Sequence, residues 1–553
     1  MHSFHDPRSP ARRAMSRLGL AASVLLAGCG GGNDSGPRDG VLAAPACDGT
    51  DLSGVRSAVH VSTQGDDAGG CGGSAANACL TIQRGIDLCA GSGCAVLVRH
   101  GLYPTSATIQ LRDGVGVYGG CRFDGDPQRG YRTTIEANPA PGTPAIAGSA
   151  IHTPTVVHGL VVVGKNETAP GTASIVMTLA NSQGLVLTRS VLIAGRGGYG
   201  AAVGPPPPGS AHSGGAGDTR SYTAGGQGPG GPSCDAGGTA GRGGDGSARR
   251  QNTVSDCGFF SCNCNESGGL KGSDGADSGW ASGGSGGSSG TQGNACWEGV
   301  IRQSVGGQGS TGRPGSAGAC SPHGGVASAD VWGGFQGASW LPGVGGAGGS
   351  GDVGSGGGGG GPGGMCTLLT ADTPRQWFPY WGQPGGGGGA GGCGGPGGPG
   401  GQQGGASIGL LLAASSMTID PTSLAIVGGQ GGHGGQGATG GSGGAGGGGG
   451  AGGNAGSNCT QYDAIVNIGW GGPGGPGGPG GAGGSGSGGA GGNGGPSVGI
   501  ALTGGSAEPD AAGVYAGFAG SAGGGDRGGA GDGCSGATGQ AGTAGGMATL
   551  RRF

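Results

Sequence analysis

Ser174-Ile175-Val176-Met177-Thr178-Leu179 opens a stretch that closes at Ser190-Val191-Leu192-Ile193-Ala194-Gly195. The same plan returns as Ser407-Ile408-Gly409-Leu410-Leu411-Leu412 through Ser423-Leu424-Ala425-Ile426-Val427-Gly428. A third, weaker copy runs from Ser497-Val498-Gly499-Ile500-Ala501-Leu502 to Gly513-Val514-Tyr515-Ala516-Gly517. In each copy an apolar strand opens after Ser, a second closes the unit, and a glycine-rich tract follows. Two strands and two turns in about 22 residues predict one coil of a solenoid, with the tracts pushed outward from successive coils.

Composition limits what else the chain holds. Its 161 glycines and 32 prolines are roughly a third of 553 residues, a low-complexity signature. Hydrophobic residues at 33% and aromatics at 4% are too few for one large conventional core, so burial is expected in short, regularly spaced strands. A net charge of −4 with 10% charged residues argues against nucleic acid as a partner, because that needs clustered cations. It argues equally against a charge-extended disordered chain.

Arg12, Arg13 and Arg17 precede Leu18-Gly19-Leu20-Ala21-Ala22-Ser23-Val24-Leu25-Leu26, which is too short to span a bilayer and has the form of an export signal. The signal is complete from Met15, and it ends in Leu26-Ala27-Gly28-Cys29. That tetrad resembles the bacterial lipoprotein signal, which implies acylation of Cys29 and anchorage to a membrane by lipid. Gly30 in the next position implies an outer-membrane or cell-surface address. Removing Cys29 leaves 16 of 17 cysteines, an even number that fits disulfides in an oxidising compartment. Cys257, Cys262 and Cys264 are spaced for either a metal knot or bridges, and export favours bridges.

From Ala58 the chain reads Val59-His60-Val61-Ser62-Thr63-Gln64-Gly65-Asp66-Asp67, then Cys79-Leu80-Thr81-Ile82-Gln83-Arg84-Gly85-Ile86-Asp87. Ala95-Val96-Leu97-Val98-Arg99-His100-Gly101-Leu102-Tyr103 and Val115-Gly116-Val117-Tyr118-Gly119-Gly120-Cys121 follow. This succession resembles the opening of secreted right-handed parallel β-helix proteins of the pectate-lyase-like superfamily. The resemblance covers residues 58–195 and implies a capping helix over residues 81–89, which would shield the apolar end of the first coil. Cys121 stands where an aromatic is common in that family and is expected to bridge. The expected fold is therefore all-β, a right-handed parallel β-helix solenoid with an N-terminal cap helix and long glycine-rich, polyglycine II-like insertions. Its expected divisions are a signal peptide 1–28, a flexible tether 29–57, the first part of the solenoid 58–195, a glycine-rich insertion 196–405, a coil 406–428, an insertion 429–495, a coil 496–517, and a glycine-rich tract with a terminal strand 518–553.

The tracts are not random glycine. Gly394-Gly395-Pro396-Gly397-Gly398-Pro399-Gly400-Gly401 and Gly471-Gly472-Pro473-Gly474-Gly475-Pro476-Gly477-Gly478-Pro479 repeat every three residues, the period of a polyproline II helix. Glycine lets such helices approach and hydrogen-bond laterally, as in polyglycine II. Collagen needs longer uninterrupted repeats and three chains; disorder is the alternative that glycine's entropy cost supports. The tracts resemble the glycine-rich repeats of mycobacterial PE-PGRS proteins, without the PE domain that opens those proteins.

Other motifs carry little chemistry. Gly159-Leu160-Val161-Val162-Val163-Gly164-Lys165-Asn166 fits a phosphate-loop pattern, but Asn166 replaces the magnesium-binding hydroxyl and the middle residues read as a strand. Parallel β-helices often cleave acidic polysaccharides with carboxylates and a base. Here Arg112, Asp113, Arg122, Asp124 and Asp126 fall mostly in glycine-bearing turns, where Asp serves local hydrogen bonds. Arg189 stands apart from them. No catalytic residue, cofactor or metal ligand is expected. All seven tryptophans lie between Trp280 and Trp470, and Trp377, Phe378, Tyr380 and Trp381 form the densest cluster. They are the candidate glycan platform, weighed against a packing nucleus for helices without side chains. The expected function is a lipid-anchored surface protein of structural or adhesive role, displaying glycine-rich plates to polysaccharide or other surface components. The alternatives are a polysaccharide-binding or lyase-like protein and an ice-binding protein.

Overall fold

The three copies of the opening stretch lie side by side as parallel strands. Ile175, Met177 and Leu179 of Ser174–Ala180 pair with Ile408, Leu410 and Leu412 of Ser407–Ala413. These pair in turn with Val498, Ile500 and Leu502 of Ser497–Thr503. Met547–Arg552 continues the ladder beyond Ser497–Thr503, as the expected terminal strand. More than two hundred residues separate the first and second strands in sequence, and none interrupts their ladder.

The structure is a computed structural model. It describes residues 47, 52, 54–89, 91, 93–123, 132–204, 225–234, 240–247, 271–278, 282–289, 307–364, 382–420, 424–454, 472–509 and 536–553. Strand segments at 257–258, 261–262, 366–369, 377–380, 514–518, 530–531 and 534–535 are described as backbone. The segments expected as signal and as tether up to residue 46, with Cys29, lie outside the described residues.

Three six-stranded sheets, each parallel throughout, make up the all-β framework. The chain visits them in rotation: Val115–Cys121 in the first, Thr133–Ala137 in the second and Ile146–Ser149 in the third, and then again from Thr155–His158. The first two repeat units therefore hold three strands where the sequence reading has two, and the third shows two among the described residues. In the first copy the additional strand is Leu185–Thr188 and in the second Met417–Ile419. These strands are only four and three residues long, so in one dimension they pass for turn. The strands of the repeated stretch are different, because Ser174–Ala180 and Ser407–Ala413 are buried on both faces. That is why they read as unbroken apolar runs.

Met177, Leu179, Leu410, Leu412, Ile500 and Leu502 stack inward in the main core, together with Leu185, Leu187 and Leu192 from the other two sheets. Ile175, Ile408, Leu411, Val498 and Ala501 face outward and are covered by Trp332, Phe335, Trp340 and Phe553. A seven-residue helix, Ile82–Leu88, lies at the N-terminal end of the strand column with Thr81 as its N-cap. Its Ile82 and Ile86 join the main core beside Val61 and Val96.

Each long tract leaves after a strand of the second sheet and returns at a strand of the third: Val191–Ile193 to Ser407–Ala413, Ala425–Gln430 to Ser497–Thr503, Val514–Phe518 to Met547–Arg552. The serine that opens each repeat explains its place here. Ser174 Oγ accepts from Gly195 N (3.1 Å), and Ser407 Oγ donates to Gly195 O (2.8 Å) and accepts from Gly429 N (3.0 Å). Ser497 Oγ donates to Gly429 O at 2.8 Å. The hydroxyls thus clamp the point where each tract departs.

Within the tracts, backbone hydrogen bonds recur every third residue. Gly351, Gly354, Gly357 and Gly360 donate to the carbonyls of Gly395, Gly392, Gly389 and Gly386, an antiparallel register. Gly389, Gly392 and Gly395 donate to Gly478, Gly481 and Gly484, a parallel one. The stretch 356–361 has six neighbours. Its amides donate to Ala276 and Ser273, to Arg313 and Ser310, and to Gly389 and Gly386, while its carbonyls accept from Gly284 and Gly287, from Gly244 and Ser247, and from Gly478 and Gly475. A threefold helix turns successive peptides by about 120°, which aims three donors and three acceptors at six surrounding chains. A Cβ on Gly357 would collide with the Gly478 carbonyl, which is why the centre of this arrangement is unbroken glycine.

Disulfides join Cys47 to Cys121, Cys71 to Cys79, Cys89 to Cys94 and Cys234 to Cys393, and Cys320 is also bridged. The expected bridge at Cys121 is present.

Candidate functional site

A concavity of about 790 Å³ lies where four successive strands of the third sheet end. Its floor is Ala180, Ala413 and Thr503 with the residues that follow them, Asn181, Ala414 and Gly504, and it ends at Arg551, Arg552 and Phe553. Asn181, Ala414 and Gly504 all turn with positive φ, at 50°, 48° and 61°. Stacked turns of one shape set one small residue per coil, at the ~4.8 Å spacing of neighbouring strands. Just beyond them Ser182, Ser415 and Ser506 form a second hydroxyl ladder, with Ser182 N donating to Ser415 Oγ and Ser415 N to Ser506 Oγ, both at 3.0 Å.

The facing wall is residues 330–338, which lead into an antiparallel hairpin of Gly334–Gln336 and Ser339–Leu341. Side chains from the tracts hold this wall in place. Asn493 Nδ2 donates to Ser328 O (2.9 Å) and Asp330 O (2.7 Å), and Gln403 Nε2 donates to Val331 O (3.0 Å). Trp332 N donates to Asp330 Oδ1 at 2.9 Å.

The aromatic rings here are engaged with one another. Phe335 meets Trp340 and Phe553 edge to face, with centroids 5.4 and 4.8 Å apart. The Arg551 guanidinium lies 4.5 Å from the Trp332 ring centroid, and the ring also packs close over Gly546. Arg552 donates to Ser506 O at 2.8 Å and pairs with Glu508 at 3.3 Å, both groups being half exposed. The cleft therefore presents two guanidinium groups, one carboxylate, small residues and backbone, and its rings serve as scaffold.

The residues singled out from sequence fall elsewhere. Trp377, Phe378 and Tyr380 lie on Trp377–Tyr380, a strand paired antiparallel with Cys366–Leu369, and Trp381 lies outside the described residues. Cys257 and Cys262 face each other across a two-stranded pairing, and Cys264 lies outside the described residues. Asp124 and Asp126 are outside as well. Asp113 does not serve its own turn, as expected from sequence. Its Oδ1 accepts from His152 N, Thr153 N and Thr153 Oγ1 at 2.7–2.8 Å, forty residues on, and so ties one coil to the next. The Thr153 amide is the main cause of its carboxyl lying below the ordinary carboxylate range. Asp67 likewise accepts from Leu80 N and Thr81 N, at 2.8 and 3.0 Å.

Arg112 donates to Cys89 O, and Arg189 occupies a positive-φ turn at 43°. Leu160–Val163 is a strand, as the rejection of a phosphate loop requires, and Lys165 Nζ donates to Pro139 O. Asp67, Cys71 and Cys79 come together, but both thiols are in one disulfide and the carboxylate is taken by backbone amides. The cleft escaped the sequence reading because its floor and its facing wall come from stretches at least 75 residues apart in the chain.

No protein-family model matches the chain, and no curated protein matches it. Among solved structures it is similar to a rhamnogalacturonan lyase, at 12% identity and a TM-score of 0.20, covering 26% of this chain. The chain spans 40% of that protein's length, and a likeness of this size carries no argument about activity.

Proposed function

We propose that the chain is a right-handed parallel β-helix carrying polyglycine II insertions, anchored through a lipid on Cys29 and displayed on the cell surface in a structural or adhesive role. The observation that carries this reading is the six-neighbour hydrogen bonding around residues 356–361. A body held by backbone bonds offers a broad, nearly uncharged face of small residues, suited to spacing and contact more than to chemistry. The expected role of Trp377, Phe378, Tyr380 and Trp381 in glycan contact is retained as part of the same proposal.

The test is to express the full chain and its Cys29→Ser variant in a bacterial host with an outer membrane. Fatty-acid labelling and surface proteolysis should mark the parent chain and not the variant. Loss of attachment between cells, or to a surface, on releasing the protein supports the adhesive role. Unsaturated uronate products from an acidic polysaccharide, or thermal hysteresis with the purified chain, would replace it with one of the two alternatives.

A further inference from the structure

We infer that the Cys47–Cys121 bridge is a mechanical lock, which takes the N-terminal cap and the first coil out of the path of any force reaching the chain from its N-terminal side. The inference holds for any tether there and does not depend on lipid at Cys29.

The path follows from the topology. The bridge joins residues 74 apart, and the strand Ser57–Val61, the helix Ile82–Leu88 and the strands Cys94–Arg99 and Val115–Cys121 all fall between its ends. Tension arriving at Cys47 crosses the two sulfurs to Cys121 and continues toward Thr133–Ala137, so the residues between the cysteines carry none of it. Both cysteines are fully buried, and the backbone of Cys47 bridges antiparallel to that of Cys121. Leu52 and Val55 pack against Leu97, Tyr118 and Phe123, in a cluster apart from the main core, and so hold the entering chain against the first sheet.

The sheets show what the lock avoids. Without it, the first strand to meet the load is Ser57–Val61, an end strand with Cys94–Arg99 as its one strand neighbour among the described residues. With it, the first is Thr133–Ala137, held by Gly101–Thr105 on one side and Leu160–Val163 on the other. A stacked array gives way at its ends, where each unit has a neighbour on one side only. Peeling Ser57–Val61 would carry off the helix whose Ile82 and Ile86 close the main core beside Val61 and Val96. Two further bridges, Cys71–Cys79 and Cys89–Cys94, close short loops inside the sheltered stretch.

The test stretches the full oxidised chain in an optical trap between handles at Gly40 and Phe553, in the parent and in Cys47→Ala/Cys121→Ala. The variant should open first at the cap, at a lower force than any event of the parent. It should end longer by about 60 residues, roughly 20 nm at ~3.5 Å per extended residue, because the two small loops stay closed. Handles at Arg132 and Phe553 load both proteins beyond the lock and should give one pattern for both, which separates loss of the lock from loss of the fold. Equal final length in parent and variant, release of the added length only after the column has opened, or a variant weakened equally from both pairs of handles would each overturn the assignment.

Discussion

The strand column and the glycine bundle solve the same problem by opposite means. In the column, backbone bonds run in one direction along the ladder and side chains fill the middle: Leu410, Leu412, Ile500 and Leu502 are at most 1% exposed. In the bundle, the backbone bonds radiate to six sides and there is nothing left to pack but main chain. The first gains most from removing apolar surface from water, about 25 cal/mol per Å². The second gains from a dense array of amide bonds, each worth about 1 kcal/mol net, against the large conformational freedom of glycine. One region tolerates a change of side chain and is damaged by a cavity. The other is damaged by a side chain at any glycine whose Cβ would meet a neighbouring carbonyl, as at Gly357.

Substitutions aimed at each region should separate the two. Gly357→Val drives a side chain into the carbonyls of Gly478 and Pro479, where main chain cannot yield. The expected cost is about 4 kcal/mol, seen as loss of amide protection across the bundle while protection in the three sheets persists. Leu410→Ala opens a cavity in the column and should cost about 3 kcal/mol, with protection lost from the sheets.

Replacing Cys234 and Cys393 together by Ser removes a closure of 159 residues and should cost the bundle about 2–4 kcal/mol, with little effect on the column. Ser407→Ala strips the clamp on both Gly195 and Gly429 and should cost about 1–2 kcal/mol, loosening exchange first where the tracts depart.

Acid should make the smallest difference. Asp113 is held ionised by the Thr153 amide, so its contribution is present above an unfolded carboxyl pKa of about 4 and is lost as pH falls through the depressed folded value. Asp113→Asn should flatten that part of the acid unfolding curve.

What could be read from sequence follows the same division. The stacking of Ser174–Ala180, Ser407–Ala413 and Ser497–Thr503 was legible because strands buried on both faces leave continuous apolar text. Leu185–Thr188 and Met417–Ile419 were not, being only four and three residues long. The period of three in the tracts was visible, whereas the partner of each glycine was not, since Gly360 and Gly386 look like every other glycine until they are brought together. Asp113 misled because an Asp–Gly turn usually bonds within itself, and a coil above it was needed to show otherwise. The cleft was invisible for a plainer reason: Trp332 and Arg551 meet only after the tracts have folded back.

The lateral bonds also bear on how such a gene changes length. Each tract meets its neighbours through every third peptide, as Gly351, Gly354, Gly357 and Gly360 do. Gaining or losing one triplet of residues, nine nucleotides in the reading frame, slides a rod by a full turn and restores every pairing downstream. Gaining or losing one codon rotates the remainder by about a third of a turn and points donors at the wrong chains. Viable length variants of this protein should therefore differ by multiples of three residues inside the tracts, while the coils between them hold a fixed count.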